Sequence, residues 1–340
     1  MHNAKKFKIE EFKKGKSPLL GKDMKFNVNK LHKYLFVKTP DEINGSLRNG
    51  QINMKELVVL YLICKYKALS SFQIRQVLKK IKVESKFIKF YSLNPNLSDF
   101  EDEIKFILNK LVKNGLLCNY TFCSFDSPSI YSFYVPTFIA SIVVKKYFDF
   151  PYKMDPYIHM SPEWFFYNIL ICNQTLLNIF SNIDEFRLLD MQKYLEQNNF
   201  FNIDKQESYN PKNYYHIFEY NDNNFLVNTF YNEIFNKIDE TIESKRLFPF
   251  YDEKEKYLYL RNKAMAFKNY LLLSDKNYII LSSDNPKNLK KSALKLKEFL
   301  SDEYLKKIIF TVDYTSDFYM EYRYSKEKEE NIFKIVQNIF

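Results

Sequence analysis

Residues 97–120, "LSDFEDEIKFILNKLVKNGLLCNY", decide how the first half of the chain is interpreted. Ser98 and Glu101 form a capping box that predicts the start of a helix. Asn114 and Gly115 predict a left-handed stop, after which a strand follows. Between these signals the apolar side chains recur at three- and four-residue spacing, which predicts an amphipathic helix: Phe100, Ile104, Ile107, Leu108 and Leu111.

The segments around this helix predict further helices and a β-hairpin. Residues 54–67 are apolar nearly all round, which suits a buried helix, and residues 70–81 open with a second capping box, Ser70 and Gln73. The segments "LLCNYTFCSF" and "SIYSFYVPT" predict a hairpin, and "FIASIVVKKYF" predicts a closing helix. This order of elements is typical of a winged helix, and the alternative is a small α+β domain without a DNA role.

The second half of the chain alternates predicted helices and strands, which indicates an α/β domain with a small central sheet. A long apolar helix begins at Ser161-Pro162, and residues 204–224 are polar and loop-like. The other predicted elements are helices at 186–197, 228–245 and 285–302, and strands within 256–267, 268–283 and 306–314.

The predicted fold class is therefore α+β, with an N-terminal winged helix followed by a C-terminal α/β domain. Three prolines in residues 151–165 indicate a linker between the two. The predicted regions are a basic arm at 1–50, a winged helix at 51–150, the linker at 151–165 and the α/β domain at 166–340.

The net charge of +10 is unevenly distributed along the chain. Residues 1–150 contain 26 Lys and Arg against 13 Asp and Glu, a net charge of +13. The remaining residues contain 25 against 28, a net charge of −3. A basic half joined to a mildly acidic half is typical of a nucleic-acid-binding module with a neutral companion domain. The alternative is a lysine-rich surface that only keeps the protein soluble.

Several classes of protein are excluded by composition. The longest apolar run, residues 131–144, is shorter than the roughly 20 residues that span a bilayer, so we expect no membrane partner. The basic N-terminus has no apolar stretch behind it and is not a secretory signal. Glycine-rich phosphate-binding motifs are absent from the sequence. Cys64, Cys118, Cys123 and Cys172 form no CxxC pair and are interpreted as reduced core thiols of a cytoplasmic protein.

In its order of elements the chain resembles the replication-relaxation family of plasmid and integrative-element proteins. The resemblance covers roughly residues 50–313. It rests on "LVVLYLICKYKALSSFQIRQVL", "FILNKLVKNGLL", "YSFYVPTFIASIV", the helix from Ser161 and a strand–strand–helix–strand region at Lys256–Asp313. It implies an N-terminal winged helix joined to a domain similar to restriction-endonuclease-like nucleases.

One motif of that family has no counterpart in this sequence. Members carry Arg-Pro-Asp on the first strand and an acidic residue on the next, whereas the corresponding stretch here is Arg261-Asn262-Lys263. The next strand holds no carboxylate between Ile279 and Ser283. The resemblance therefore implies a nuclease-like fold that lacks the metal-binding acidic cluster.

Metal-dependent cleavage of a phosphodiester needs carboxylates that converge on Mg²⁺ with a lysine nearby. Asp284-Asn285-Pro286 is more simply interpreted as a turn and a helix start. The four histidines are widely spaced and match no metal signature, so we predict no catalytic residue, no metal ligand and no cofactor. If a Mg²⁺ site were present, its candidate carboxylates would be Asp275, Asp284, Glu298 and Asp313, with Lys295 or Lys297 as the nearby lysine.

Basic and polar side chains in the first half are the predicted DNA contacts. Lys and Arg neutralise phosphates, Asn reads an adenine edge, and Tyr packs on a sugar or base. Lys105, Asn109 and Lys113 share one helix face because they are four residues apart, although any one of them can also be an ordinary solvated residue. The full predicted set is Arg75, Lys79, Lys80, Lys82, Lys105, Asn109, Lys113, Asn119 and Tyr120, with Lys5, Lys6, Lys13 and Lys14 of the arm.

The helix in residues 97–120 starts with acidic side chains, which oppose the insertion of that end into a DNA groove. Carboxylates stabilise a helix N-terminus because the macrodipole is positive there. The helix can therefore dock by its middle, or the arm and the hairpin can dominate the contact, or the domain can bind proteins instead. The four carboxylates are Asp99, Glu101, Asp102 and Glu103.

The leading hypothesis is a non-catalytic DNA-binding protein of a mobile element that acts in plasmid replication initiation or conjugative relaxosome assembly. Its expected partners are double-stranded DNA and replication or relaxosome proteins, and a homodimer is compatible with the sequence. The alternatives are a metal-dependent nuclease with a divergent acidic cluster, and a winged-helix adaptor that binds proteins.

Overall fold

The fold is α+β, as the sequence predicts, and the strands that the structure describes form two sheets. The described residues divide into two compact units, the first within Gly21–Phe166 and the second from Tyr167 onward, so the division falls inside a long helix. The computed structural model describes residues 24–27, 41, 45, 49, 52–81, 97–124, 130–148, 163–183, 187–189, 191–198, 216–230, 253–284, 286–313, 319–325 and 330–336.

The first unit combines helices with an antiparallel sheet of order β1-β3-β4-β2. The predicted helices, the predicted hairpin and the closing helix are confirmed. In chain order the described elements are β1 (Met24–Asn27), α1 (Met54–Tyr66), β2 (Leu69–Ser70), α2 (Ser71–Ile81), α3 (Leu97–Lys113), β3 (Leu117–Ser124), β4 (Ile130–Pro136) and α4 (Phe138–Tyr147).

Local hydrogen bonds fix where α1 and α2 begin. Glu56 N donates to Asn53 Oδ1 at 3.1 Å, and Asn53 N donates to Glu56 Oε2 at 2.7 Å. At α2, Gln73 N donates to Ser70 Oγ and Ser70 N donates to Gln73 Oε1, both at 3.1 Å. The capping box predicted at Ser70 is therefore confirmed, and each helix gains partners for its free N–H groups.

The predicted left-handed stop of α3 is also confirmed. Gly115 has a φ of 70°, a conformation that glycine adopts without steric cost. Leu116 N donates to Leu111 O, and Gly115 N donates to Val112 O, both at 3.0 Å. These bonds satisfy the last carbonyls of the helix and turn the chain into β3. The capping box predicted at the start of α3 lies outside the described side chains.

The second unit is built on a seven-stranded sheet of order β11-β10-β9-β8-β7-β6-β5. Strand β8 is parallel to β7 and β9, and the other pairs are antiparallel. The described elements are α5 (Glu163–Asn182), β5 (Arg187–Leu189), α6 (Met191–Gln197), β6 (His216–Tyr220), β7 (Asn223–Asn228), α7 (Glu253–Leu272), β8 (Asn277–Ser283), α8 (Pro286–Lys297), α9 (Asp302–Leu305), β9 (Ile308–Val312), β10 (Tyr319–Ser325) and β11 (Glu330–Val336).

Helices cover both faces of this sheet. Ile279 and Leu281 belong to a buried cluster with Phe267 of α7 and Leu289 of α8. Successive strand residues point to opposite faces, so Ser282 lies on the other face, where it is hydrogen-bonded to Thr175 of α5. The central strands are therefore buried on both sides, as parallel strands generally are.

Helix α7 shows that the predicted strand at 256–267 is wrong. Leu260, Ala264, Phe267 and Leu271 are buried and recur at helical spacing, so one face of α7 packs against the sheet. The segment starts with alternating Tyr and Leu, which favours a strand. A short apolar run of this kind does not by itself distinguish a helix from a strand.

Several strands were also missed. Strand β5 lies inside the helix predicted at 186–197, the β6–β7 hairpin lies partly in the predicted loop at 204–224, and β10 and β11 were not assigned. The sheet is thus larger than predicted. Residues 228–230 are not helical, and the rest of the helix predicted at 228–245 lies outside the described residues. Residues 163–165 of the predicted linker belong to α5.

Candidate nucleic-acid interface

Helix α3 has one buried face and one exposed face. Ile104, Ile107, Leu108 and Leu111 are buried in the first unit, as the spacing of apolar residues predicts. The side chains on the opposite side are exposed: Lys105, Phe106, Asn109 and Lys113. Within the described part of the chain, the side chains of these four residues make no hydrogen bond, ion pair or ring contact. We call these four residues the α3 face.

Two ion pairs hold α3 against α1. Lys55 Nζ lies 2.7 Å from Glu103 Oε1, and Lys110 Nζ lies 2.7 Å from Glu56 Oε1. Glu56 is only 1% exposed, and its other carboxylate oxygen accepts the bond from Asn53 N. These contacts orient α3 so that Glu103 and Lys110 point to α1, while the α3 face points away from it.

One of the four carboxylates at the acidic start of α3, that of Glu103, forms an ion pair. This carboxylate is already paired with Lys55, so it does not contribute a free negative charge beside the α3 face. The side chains of Asp99, Glu101 and Asp102 lie outside the described residues. The middle and the end of the helix, from residue 105 to residue 113, therefore form the basic part of its exposed surface.

The structure describes little of the other basic residues in the predicted DNA-contact set. Arg75 is half-buried on α2. Lys79 and Lys80 lie in the last turn of α2, but their side chains are not among those described. The other predicted contacts lie outside the described residues: Lys82, Lys5, Lys6, Lys13 and Lys14.

Tyr120 is a correction to the predicted set. It is 1% exposed, and its ring stacks on Phe133 with the ring centroids 5.2 Å apart. Burial raises the pKa of its hydroxyl. Tyr120 is therefore a core residue and cannot pack on a sugar or base. Its neighbour Asn119 is half-buried on β3, and Asn119 Oδ1 has no hydrogen-bond partner among the described residues.

Phe106 is the residue of this surface that the sequence analysis missed. Its side chain is 66% exposed, the largest exposed fraction among the large apolar residues that the structure describes as exposed. The signal was present in the sequence, since Phe106 falls outside the stripe formed by Ile104, Ile107, Leu108 and Leu111. An apolar residue on the polar side of an amphipathic helix is a candidate contact.

A second polar region lies at the carboxyl ends of the parallel strands of the second unit. Asp284, just after β8, is buried and accepts bonds from Tyr167 Oη at 3.2 Å, Ser283 Oγ at 3.1 Å and Asn288 Nδ2 at 3.0 Å. Asp313 follows the neighbouring strand β9, and its N–H donates to Ser283 O at 3.0 Å. Burial raises the pKa of Asp284, although these three bonds act in the opposite direction.

The other predicted acidic residues lie at the opposite end of β8. Asp275 is exposed before this strand and contacts Lys307 Nζ at 3.3 Å. Glu298, after α8, pairs with Lys295 at 2.9 Å, and Lys297 is exposed. The strand separates the two ends by about 20 Å. The four carboxylates therefore do not converge, and no group of three His, Cys, Asp or Glu side chains that could hold a metal occurs among the described residues.

The interpretation of Asp284-Asn285-Pro286 as a helix start is confirmed, because α8 begins at Pro286. Arg261-Asn262-Lys263, by contrast, lies in helix α7 and not on a strand, so its alignment with the first strand of a nuclease-like sheet is wrong. Lys263 is fully buried, with Nζ 5.7 Å from the centre of the Tyr259 ring, and burial lowers its pKa to about 7.

Cys64, Cys118 and Cys172 are free and buried, which confirms that they are core thiols. In the part of the chain that the structure describes, no helix is long and apolar enough to cross a bilayer. Comparison with protein-family models, with curated proteins and with solved structures finds no match to this chain.

Proposed function

We propose that the first unit is a winged helix that binds double-stranded DNA, and that the chain acts without catalysing a reaction on the DNA. The observation that carries this proposal is the α3 face, where two lysines, an asparagine and a phenylalanine are exposed together. The wing of this domain is the β3–β4 hairpin, and its recognition helix is α3.

The orientation of α3 supports docking by its middle. Lys105 and Lys113 are eight residues apart, which corresponds to about 12 Å along the helix axis. The major groove of B-DNA is about 12 Å wide and admits an α-helix, so the long side chains of the two lysines can reach phosphates along its edges. The net charge of +13 on residues 1–150 supplies the long-range attraction to the phosphate backbone.

On the same proposal, the biological setting is a mobile element, with a role in plasmid replication initiation or conjugative relaxosome assembly. This setting rests on the resemblance to the replication-relaxation family, and it implies replication or relaxosome proteins as further partners. Residues 151–340, with a net charge of −3, then provide the surface for such a partner.

Salt-dependent DNA binding by the full chain tests the proposal. Each phosphate contact contributes about 0.9 to the slope of log affinity against log salt. Replacing both lysines of the α3 face, Lys105→Ala with Lys113→Ala, should therefore reduce that slope by about 2. The measurement is fluorescence anisotropy of a labelled duplex titrated at several salt concentrations.

The matched control removes the same charge from another helix of the same unit. Lys145 and Lys146 are exposed on α4, so Lys145→Ala with Lys146→Ala should leave the slope nearly unchanged. If both double variants lose affinity equally, only net charge matters and the α3 face is not the contact. Binding that ignores salt, or that is absent, would refute the proposed function and leave a protein-binding adaptor as the better explanation.

A further inference from the structure

We propose that the α3 face selects A·T base pairs, with the Phe106 ring on a thymine methyl group and the Asn109 amide on the edge of an adenine. This inference rests on the proposed function, because it requires that α3 enters the major groove. It names the base pairs that the surface prefers and the two residues that distinguish them.

The exposure of Phe106 is the first argument. A phenylalanine that is 66% exposed on a helix otherwise packed by its apolar face has no role in the core of the first unit. The thymine C5-methyl is the apolar group that a base pair presents in the major groove, and phenylalanine is one of the side chains that contact it. Contact with that methyl group would remove apolar surface of Phe106 from water.

The spacing of the two residues is the second argument. Phe106 and Asn109 are three residues apart on α3, so they are neighbours on one face with about 5–6 Å between their Cβ atoms. Successive base pairs are stacked about 3.4 Å apart, so both side chains reach the same base pair or adjacent ones. Thymine is always paired with adenine, which places the two required groups close together.

The hydrogen-bonding capacity of Asn109 is the third argument. Its amide carries both a donor and an acceptor, and it makes no hydrogen bond within the described part of the chain. This pair of groups matches N7 and N6 of adenine in a bidentate contact. Lys105 and Lys113 stand on either side of Phe106 and Asn109, so phosphate contacts would hold these two residues over the base edges.

The experiment compares alternating dA·dT and alternating dA·dU duplexes, which differ only in the C5-methyl group. Wild-type protein should bind the thymine duplex more tightly, by about fourfold for each methyl group contacted. Phe106→Ala should remove this difference while leaving the salt slope unchanged. Phe138→Ala, which removes an exposed phenylalanine from α4, should retain the difference.

The contribution of Asn109 is measured by comparing dA·dU with dG·dC duplexes, neither of which carries a methyl group. Asn109→Ala should lower the preference for dA·dU by about tenfold and leave the thymine–uracil difference intact. Equal affinity of the wild-type protein for all three duplexes, together with normal salt dependence, would overturn this inference while the proposed function stands. Absence of salt-dependent binding to any duplex would overturn both.

Discussion

Glu56 holds together the start of α1 and the side of α3 that faces it. One carboxylate oxygen accepts from Asn53 N at 2.7 Å, the other contacts Lys110 Nζ at 2.7 Å, and the side chain is almost fully buried. A buried carboxylate is stable only when its oxygens have partners, and here both do. Glu56 therefore couples a helix cap to a contact between two helices.

Replacing Glu56 separates these two contributions. Glu56→Gln keeps a side chain that accepts from Asn53 N, so it should lose mainly the ion pair. Glu56→Ala removes both contacts and leaves Asn53 N without its partner. This variant should therefore lower the free energy of unfolding by about 1–3 kcal/mol relative to the wild type. Chemical denaturation followed by circular dichroism measures both. Equal stability of the alanine variant and the wild type would show that Glu56 does not hold α1 and α3 together.

Lys263 makes the stability of the second unit depend on pH. Its folded-state pKa is about 7, lowered by burial from an ordinary value of 10.5. Between these two values the unfolded chain binds more protons than the folded chain, so the contribution of Lys263 to stability rises as pH increases from about 7 to 10.5. Below pH 7 folding buries a charged ammonium group, at the largest cost.

Lys263→Met should therefore stabilise the protein most at low pH. Methionine fills a similar volume without a charge, and each unit of pKa depression corresponds to about 1.4 kcal/mol. The expected result is a clear gain in the free energy of unfolding at pH 6 that shrinks towards pH 10. Urea denaturation across this range measures the gain. A gain that is constant with pH would mean that the pKa of Lys263 is the same in the folded and unfolded chains, so that burial does not lower it.

At the scale of elements, the sequence predicted what local signals determine. The capping box at Ser70 and the stop at Gly115 were predicted correctly because nearby residues supply all of their hydrogen bonds. The β6–β7 hairpin carried a local signal that was missed. Asn221 and Asp222 both have positive φ, 47° and 58°, and Asn and Asp are favoured residues for a two-residue turn of this kind.

Elements whose identity depends on distant packing were predicted poorly. Strand β5 has three residues and exists because it pairs with β6, which no pattern within the strand specifies. Helix α7 was mistaken for a strand because only its burial against the sheet reveals which of its apolar residues form one face. Propensity is a weak guide wherever tertiary contacts decide between helix and strand.

The residues of the candidate interface were likewise predicted correctly where local spacing decides and incorrectly where packing decides. The exposure of Lys105, Asn109 and Lys113 was predicted by helical spacing alone. Tyr120 was misassigned because the direction of a strand side chain depends on which face of the hairpin packs inward. Phe106 was missed because apolar residues are ordinarily expected inside, and its exposure became evident only when the buried face of α3 was known.

At the scale of the whole molecule, positive charge is concentrated in the first half of the sequence, whereas buried carboxylates lie in the second unit. The basic excess lies in residues 1–150, which include the α3 face. The second unit instead buries polar groups at the carboxyl ends of its parallel strands, including Asp284 and Asp313. Ligand sites in α/β sheets occur at this edge, so any cleavage of DNA by this chain would be expected to involve these two residues.

We expect the full chain to leave DNA intact in the presence of Mg²⁺ or Mn²⁺. Mg²⁺ gives up its water reluctantly and needs convergent oxygen ligands. Both carboxylate oxygens of Asp284 already accept bonds from Tyr167, Ser283 or Asn288, so this group is engaged within the protein. Binding the ion would require these bonds to break and a buried carboxyl with a raised pKa to be ionised.

The measurement is incubation of supercoiled and linear DNA with purified protein and either ion, followed by electrophoresis. Asp284→Asn and Asp313→Asn are suitable controls, because each changes the charge while keeping the size of the side chain. Nicking by the wild type that both variants abolish would show that the second unit is a metal-dependent nuclease. Nicking that survives in both variants would point to a contaminating enzyme. DNA that stays intact but is bound in a salt-dependent manner would support the proposal that this protein binds DNA without cleaving it.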